Sequence, residues 1–188
     1  MRVGVLALQG DVREHQSILE TFGAETVWVR RKEDLEDLDG LVIPGGESTA
    51  ISKLIGIFDL MEPLREFVAT KPVLGTCAGL ILLSDSVEGR LQDQELIGGL
   101  DIVSSRNAYG SQANSFEAIV EYADATEPVA FIRAPKILDT KNAKVVASYQ
   151  GEPVAVQQKN ILAACYHPEI TGSTHLHSLL ITEIDSRQ

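Results

Sequence analysis

Residues 71–85 read KPVLGTCAGLILLSD, where a short apolar strand, VLG, is followed at once by a glycine turn and a helical pattern. The same succession of strand and helix occurs earlier in the chain. The apolar run at residues 3–8 precedes the helical pattern VREHQSILETFG, and the strand GLVIP precedes a helix that begins near Ser48 or Thr49. Strands that are apolar on both faces and alternate with helices predict a parallel sheet covered by helices on both sides.

The second half of the chain has a different pattern. Between residues 98 and 166, segments with alternating or β-branched residues follow one another with little helix between them: LDIVSSR, SFEAIVEYA, VAFIRAP, KVVASYQ, EPVAVQQ and ILAACYH. They predict antiparallel pairing at one end of the sheet, and the tail HLHSLLITEI predicts a final helix. With no internal repeat and no linker, we predict one domain over residues 1–188. Its fold class is α/β, with a doubly wound, mostly parallel open sheet and an antiparallel extension.

Composition excludes several functions. The 188 residues include 16 Lys and Arg against 27 Asp and Glu, a formal net charge of −11. This negative surface repels phosphate backbones, so neither a nucleic acid nor an anionic membrane is an expected partner. No apolar run approaches the roughly 18 residues of a membrane span, and the start lacks the layout of a signal peptide. Two cysteines are too few for a disulfide framework. We expect a soluble cytoplasmic protein.

The pentapeptide GTCAG, residues 75–79, has the setting of a nucleophile elbow with Cys77 in place of serine. Its small residues permit a tight turn that exposes the sulfur at the carboxyl edge of the sheet. The positive end of the following helix favours the thiolate, and the Ala78 N–H would be an oxyanion donor. A small buried cysteine in a glycine turn is the other interpretation, and the pentapeptide alone does not decide between them.

The sequence YHPE, residues 166–169, ends the last strand-like segment and supplies a base for the cysteine. Pro168 stiffens the turn, so Glu169 can orient the imidazole of His167 towards Cys77. On its own this motif is more typical of a surface turn.

The segment IPGGEST, residues 43–49, ends another predicted parallel strand. The backbone of Gly45 and Gly46 can approach a substrate closely and offer a second oxyanion donor. On its own this segment is also typical of an ordinary turn. Because the three motifs all lie at strand ends of one predicted parallel sheet, where open α/β sheets bind ligands, we predict one shared site.

The remaining histidines carry no recognisable metal or catalytic pattern. His15 lies within a predicted helix, and His175 and His177 lie in a polar stretch before the last helix, without the i, i+4 pairing of a zinc helix. We predict that all three lie at the surface and that the chain binds no metal. Cys165, two residues before His167, is predicted to be structural.

Two arginines interrupt apolar strand segments, Arg106 in IVSSRNAYG and Arg133 in AFIRAP. Arginine in such a place usually pairs with a carboxylate. From the residues alone, the carboxylate could belong to an internal salt bridge or to a ligand.

Taken together, GTCAG, PGGEST and HPE resemble the class I, triad-type glutamine amidotransferases. The segments LALQGDVREH, LVIPGGESTAI, MEPLREF, GTCAGLILL, SRNAYGSQANSFEA, FIRAP and YHPEIT further resemble, over nearly the whole chain, the glutaminase subunits of pyridoxal 5′-phosphate synthase. PGGEST followed by RN-(aromatic)-G, SFE and FIRAP is specific to that subunit family, whereas GTCAG and HPE indicate only the broader class.

The resemblance implies hydrolysis of L-glutamine to L-glutamate and ammonia, without a cofactor. It implies Cys77 as nucleophile, His167 as base and acid, and Glu169 as the residue that orients His167. The residues implied to bind glutamine are Gly46, Glu47, Ser48, Arg106, Ile132 and Arg133. The resemblance also implies a partner, a (β/α)8-barrel synthase subunit that receives the ammonia directly and makes pyridoxal 5′-phosphate in vitamin B6 biosynthesis.

Two places depart from the family pattern. Ser111 stands in AYGSQ where a basic residue is common, and residues 172–177 read GSTHLH where a more acidic stretch is common. Neither place belongs to the triad, so we expect the departures to bear on subunit docking and to leave the chemistry unchanged.

The residues themselves are consistent with a thioester mechanism, in which the Cys77 thiolate attacks an amide and His167 protonates the departing ammonia. Three alternatives stay open: a glutaminase that serves another synthase, another cysteine hydrolase on the same doubly wound fold, and a glutamine-sensing or structural subunit without turnover.

Overall fold

The computed structural model describes residues 1–106 and 115–187. The described helices are α1 (Val12–Thr21), α2 (Ser48–Ile57), α3 (Met61–Thr70), α4 (Ala78–Leu83), α5 (Pro168–Thr171) and α6 (His175–Asp185). The described strands are β1 (Arg2–Leu6), β2 (Glu25–Val29), β3 (Gly40–Ile43), β4 (Val73–Thr76), β5 (Ser84–Glu88), β6 (Leu100–Ser105), β7 (Phe116–Tyr122), β8 (Thr126–Phe131), β9 (Lys136–Asp139), β10 (Lys144–Tyr149), β11 (Glu152–Gln158) and β12 (Ile161–Ala164).

The main sheet has nine strands in the order β2-β1-β3-β4-β12-β11-β10-β7-β8. Neighbouring strands from β2 to β12 are parallel, and those from β12 to β8 are antiparallel. The α/β class, the parallel sheet and its antiparallel extension are therefore confirmed.

The strand order reverses direction at β1. Helix α1 connects β1 to β2 on one side of it, whereas α2 and α3 connect β3 to β4 on the other. Since such crossovers are right-handed, helices that lead in opposite directions cover opposite faces of the sheet. The doubly wound arrangement is confirmed.

The strands at the centre of the parallel half are buried along their whole length. Every residue of β3 (GLVI), β4 (VLGT) and β12 (ILAA) is buried, as expected for strands covered on both faces. The carboxyl ends of these three strands lie side by side, which places the residues that follow them at one edge.

The structure corrects two details of the second half. LDIVSSR forms β6, which lies outside the main sheet in a separate three-stranded sheet with order β5-β6-β9, and neither β5 nor β9 was predicted. ILAACYH forms β12, which pairs in parallel with β4 and only on its other side in antiparallel with β11. Pairing partners are distant in sequence, so strand patterns alone do not assign a strand to a sheet.

Within residues 1–106 and 115–187, no helix has the length and apolar character needed to cross a membrane.

Candidate active site

Cys77 lies in the turn between β4 and α4 and adopts a backbone conformation that is rare for a residue with a side chain. Its φ of 50° and ψ of −102° lie outside the regions that such residues normally occupy. The Cys77 N–H donates to the carbonyl oxygen of Ala164 in β12, 2.8 Å away, so the neighbouring strand holds the turn. This is the geometry of a nucleophile elbow.

The glycines on either side of Cys77 permit close packing. A Cβ atom on Gly79 would lie 2.1 Å from the carbonyl oxygen of Ile43, and one on Gly75 would lie 2.8 Å from the carbonyl carbon of Gly79. Real Cβ atoms never approach backbone atoms this closely, so α4 can pack against the end of β3 only because both positions lack a side chain.

His167 and Glu169 follow β12, the strand next to β4. The His167 Nδ1–H donates to Glu169 Oε1, 2.7 Å away, and both side chains are buried. The backbone of His167 forms an isolated antiparallel bridge with Ala130 at the end of β8, and Pro168 is the first residue of α5. Two rigid backbone segments thus fix the direction of the imidazole.

A second carboxylate reaches the same imidazole nitrogen, and it was not predicted from the sequence. Asp11 Oδ2 lies 3.3 Å from His167 Nδ1, with the Asp11 side chain 35% exposed. Asp11 is the N-terminal cap residue of α1, just after the carboxyl end of β1. The signal available in the sequence was an acidic residue after Gly10 at another strand end of the parallel sheet.

The charges around His167 favour the imidazolium. Burial acts to lower the pKa of His167, but hydrogen bonds with Asp11, Cys77 and Glu169 outweigh it and raise the pKa to about 12. The hydrogen bond with His167 in turn lowers the pKa of Asp11, whereas burial raises the pKa of Glu169. A protonated His167 therefore faces the Cys77 sulfur, which is the partner that a thiolate needs.

A cavity of about 380 Å³ opens in front of Cys77 and His167. All the residues that the family resemblance implied for glutamine binding line this cavity, namely Gly46, Glu47, Ser48, Arg106, Ile132 and Arg133. Sequence reasoning missed other lining residues, among them Gln9, Asp11, Ile81 and Ile170. The volume suits a small molecule.

The Glu47 carboxylate has three structural partners at the cavity wall. It accepts hydrogen bonds from the backbone N–H groups of Thr49 and Ala50 as the cap of α2, at 3.1 and 2.7 Å. Its Oε1 also lies 3.3 Å from Arg106 Nη2. Burial acts to raise the pKa of Glu47, but these partners outweigh it and lower the pKa.

Arg106 combines the two interpretations that the sequence left open. It forms the internal salt bridge with Glu47, and its Nη1 donates to Gln94 Oε1 at 3.2 Å. It also lines the cavity, where a side chain already held in place can meet a ligand.

Arg133, by contrast, is exposed and has a left-handed backbone with φ of 46°. The carbonyl oxygen of Ile132 lies 3.9 Å from Cys77 Sγ.

The predicted oxyanion donors lie close to these groups. Ala78 is the first residue of α4, and Gly46 lines the cavity with φ of 151°. Gly45 supports the imidazole directly, because a Cβ atom there would lie 2.2 Å from His167 Cε1. A Cβ atom on Gly46 would lie 2.4 Å from Oε1 at the end of the Gln9 side chain.

The prediction that His15 and His177 lie at the surface is wrong. Both side chains are completely buried, and only His175, with 18% exposure, retains contact with solvent. Each buried histidine lies on the apolar face of its amphipathic helix, α1 or α6, which packs inwards. Cys165 is also completely buried, and burial strongly raises the pKa of its thiol, in keeping with a structural role.

The cluster of Asp11, His167 and Glu169 also has the side-chain types that bind metal ions. Asp11, His167 and Glu169 place ligand atoms within 4.8 Å of one another. Both carboxylates are, however, directed at the Nδ1–H of His167, so hydrogen bonds already account for the grouping. Ser111 and the RN-(aromatic)-G motif beyond Arg106 lie outside the described residues.

Comparison with known proteins places this doubly wound chain among the glutamine amidotransferases. A crystal structure of a glutamine amidotransferase has a TM-score of 0.91 with this chain at 39% sequence identity, covering 97% of this chain and 98% of that one. The SNO glutamine amidotransferase family matches residues 5–186, and this chain belongs to that family.

Curated relatives within this family carry a more specific name. The pyridoxal 5′-phosphate synthase subunit PdxT of Frankia casuarinae is 49% identical over 98% of this chain and 96% of its own. PdxT of Brevibacillus brevis is 49% identical over 96% of each chain, and PdxT of Carboxydothermus hydrogenoformans is 46% identical over 98% of each.

Proposed function

We propose that this chain is the glutaminase subunit of a pyridoxal 5′-phosphate synthase and hydrolyses L-glutamine to L-glutamate and ammonia. Residues 1–188 act in this proposal as one glutaminase domain. The observation that carries it is one cavity lined by Cys77, by His167, whose imidazole is hydrogen-bonded to the buried Glu169, and by every residue implied to bind glutamine. The names of the PdxT relatives support the pathway.

Glutamine would bind with its charged end towards the arginines and its amide towards the thiol. Arg106 and Arg133 are the cationic side chains that line the cavity beside His167, and a guanidinium pairs well with the α-carboxylate of an amino acid. Gly46, Glu47, Ser48 and Ile132 would complete the subsite. A near-attack geometry would hold the amide carbon about 3 Å from the Cys77 sulfur.

The chemical step begins with the thiolate form of Cys77. Attack on the amide carbon forms a carbon–sulfur bond and moves an electron pair onto the oxygen. Backbone N–H groups of Ala78 and the Gly45–Gly46 segment would stabilise that oxyanion, an interaction typically worth about 10²–10³ in rate per donor.

His167 then moves the protons. Its imidazolium protonates the departing nitrogen, the carbon–nitrogen bond breaks, and ammonia leaves a thioester on Cys77. The neutral imidazole next removes a proton from water, which attacks the thioester and releases glutamate and the thiolate. Glu169 keeps the Nδ1–H of His167 in place through both steps, so that Nε2 exchanges the proton.

The proposal includes a partner that uses the ammonia. The PdxT relatives are named as subunits of a synthase. We propose that the partner is a (β/α)8-barrel synthase subunit. Direct transfer of ammonia between the subunits would protect it from protonation in water. The two free cysteines support a reducing cytoplasm as the location.

The decisive experiment measures glutamate and ammonia release from L-glutamine by the purified chain, alone and with a candidate barrel subunit. Cys77→Ala serves as the blank. Release that appears or rises sharply with the partner supports both the chemistry and the pathway. Equal release without it favours a glutaminase for another synthase, and no release in either case refutes the proposal.

A further inference from the structure

A pair of buried histidines lies behind the Cys–His–Glu arrangement, and the proposed mechanism makes no use of it. His15 comes from α1 and His177 from α6, and neither side chain has any exposure to solvent. His15 Nδ1 and His177 Nε2 are 2.8 Å apart, a hydrogen bond that joins helices 162 positions apart in sequence. Buried imidazoles in direct contact are costly unless their polar atoms are satisfied.

The pair is connected to the carboxylate of Glu169. His15 Nε2 lies 3.4 Å from Glu169 Oε2 and 3.2 Å from Thr76 Oγ1. Glu169 Oε2 is buried and has no regular hydrogen-bond partner within the described residues. The imidazole edge of His15 therefore faces the carboxylate oxygen opposite to the one that holds His167.

The contacts select one tautomer for each ring. If His15 carries its proton on Nε2, that N–H faces both Thr76 Oγ1 at 3.2 Å and Glu169 Oε2 at 3.4 Å, and its Nδ1 accepts from the Nε2–H of His177. The His177 Nδ1 is then a lone pair without a partner in the described residues. The opposite assignment places a lone pair of His15 against the carboxylate and leaves a buried N–H of His177 without an acceptor, which is the more costly arrangement.

Both rings are neutral in this environment. Burial lowers the pKa of His15 far below its ordinary value, with the neighbouring His177 and His167 acting in the same direction. Burial also lowers the pKa of His177 to about 4. The one cation in the chain of contacts is then His167, and its charge is balanced by Glu169 and Asp11.

We propose that His15 is a positioning residue for Glu169, and that His177 holds His15 in the tautomer that points a proton at Glu169 Oε2. This inference rests on the proposed glutaminase function only for its effect on turnover. With the His15 ring nitrogen 3.4 Å from Oε2, the carboxylate has a polar neighbour on the side away from His167, while its Oε1 lies 2.7 Å from His167 Nδ1. Helix α6 thereby takes part in orienting the base although it contributes no residue to the cavity lining.

A first experiment needs no turnover. Two-bond proton–nitrogen correlation spectra of the ligand-free protein with ¹⁵N-labelled histidine report the tautomer of each ring, with His15→Gln and His177→Gln samples used for assignment. We expect both rings to be neutral at pH 7.5, each with its proton on Nε2. A His15 ring protonated on Nδ1, or charged, would overturn the proposal whatever the activity of the protein.

A second experiment compares His15→Leu with His15→Gln. Leucine removes the donor, whereas the glutamine amide nitrogen reaches nearly the position of Nε2 and restores it. We expect His15→Leu to lower kcat about tenfold with KM nearly unchanged, as for loss of one polar contact to a charged group, and His15→Gln to recover most of it. Equal loss in both variants would indicate a merely structural role and refute positioning.

Alkylation of Cys77 by iodoacetamide gives the same comparison without glutamine. Loss of the His15 ring frees the Glu169 carboxylate to move away from the His167 imidazolium, so the rate of Cys77 alkylation at pH 7.5 should fall in His15→Leu and return towards wild type in His15→Gln. His175→Gln is the control, because His175 lies on α6 with His177 but packs against Tyr122. An unchanged alkylation rate in His15→Leu would contradict the proposal.

Discussion

Gly45 offers a sharp test of how closely the active site is packed, because it touches the ring of His167. A Cβ atom on Gly45 would lie 2.2 Å from His167 Cε1 and 2.8 Å from Nδ1. The φ of Gly45 is not in the left-handed region, so Gly45→Ala introduces no backbone strain of its own. The substitution therefore acts through the contact with the imidazole.

The size of the effect follows from these distances. Ordinary contact begins near 3.4 Å, so the methyl group and the ring must separate by about 1.2 Å. The bond from His167 Nδ1 to Glu169 Oε1 is 2.7 Å long and is lost beyond about 3.5 Å, so a shift of this size can break it. A misplacement of about 1 Å typically costs about 10²-fold in rate. We expect kcat to fall by about that factor.

The assay is glutamate release by the complex with the barrel subunit, together with thermal melting of each variant. Gly56→Ala is the control, because a Cβ atom at Gly56 in α2 meets nothing within 4 Å. It should leave kcat unchanged and stabilise the fold by about 0.5–1 kcal/mol, since alanine is the better helix residue. A Gly45→Ala enzyme with kcat within threefold of wild type would refute the packing argument.

Three further outcomes are expected. Cys77→Ala should abolish glutamine hydrolysis at an unchanged melting temperature, whereas Glu169→Gln should reduce kcat less, because it disturbs the base and leaves the nucleophile in place; equal losses in glutamate release would contradict this order. Glu47→Ala removes the cap of α2 and should lower the free energy of unfolding by about 1 kcal/mol and raise KM, as measured by urea unfolding and steady-state kinetics. A variant as stable as wild type would show that the cap contributes little. The free energy of unfolding should also fall between pH 6.5 and about 4, because the unfolded chain binds a proton on His177 that the folded chain excludes. Urea titrations should give a slope approaching about 1.4 kcal/mol per pH unit for that residue, and His177→Gln should flatten it.

The parallel half of the fold could be predicted because its strands are recognisable in the sequence as short, continuous apolar segments. GLVI in β3 and VLGT in β4 are apolar without alternation, and each is followed by a helical pattern. Such strands have to be covered on both faces, which restricts the architecture strongly. The small sheet of β5, β6 and β9 has no continuous apolar strands of this kind. Its strands are partly exposed and pair with strands that are distant in sequence.

The candidate active site could be predicted for a related reason. Cys77, His167 and Glu169 each follow a strand of the parallel half, and the carboxyl ends of parallel strands meet at one edge. Asp11 follows β1 at the same edge, so the same reasoning applied to every strand end would have found it. Its distance from His167 depends on a side-chain rotamer, which no sequence pattern specifies.

The two buried histidines were assigned wrongly although their spacing was informative. His15 lies three and four residues before Ile18 and Leu19, on the apolar face of α1. His177 likewise lies three residues before Leu180 on α6. A histidine on an apolar face indicates a buried polar contact, but the identity of its partner depends on tertiary packing and could not be read from either helix.

The place of β12 in the main sheet has a consequence for synthesis on the ribosome. It is the last strand along the chain, yet it lies between β4 and β11 in the interior of the sheet. Until residues 161–164 have emerged, β4 has an unpaired apolar edge, which is a hazard for association between nascent chains. Because His167 follows directly, the Cys77 thiol acquires its base only as this edge closes. A nascent or prematurely terminated chain therefore contains the nucleophile without the means to use it.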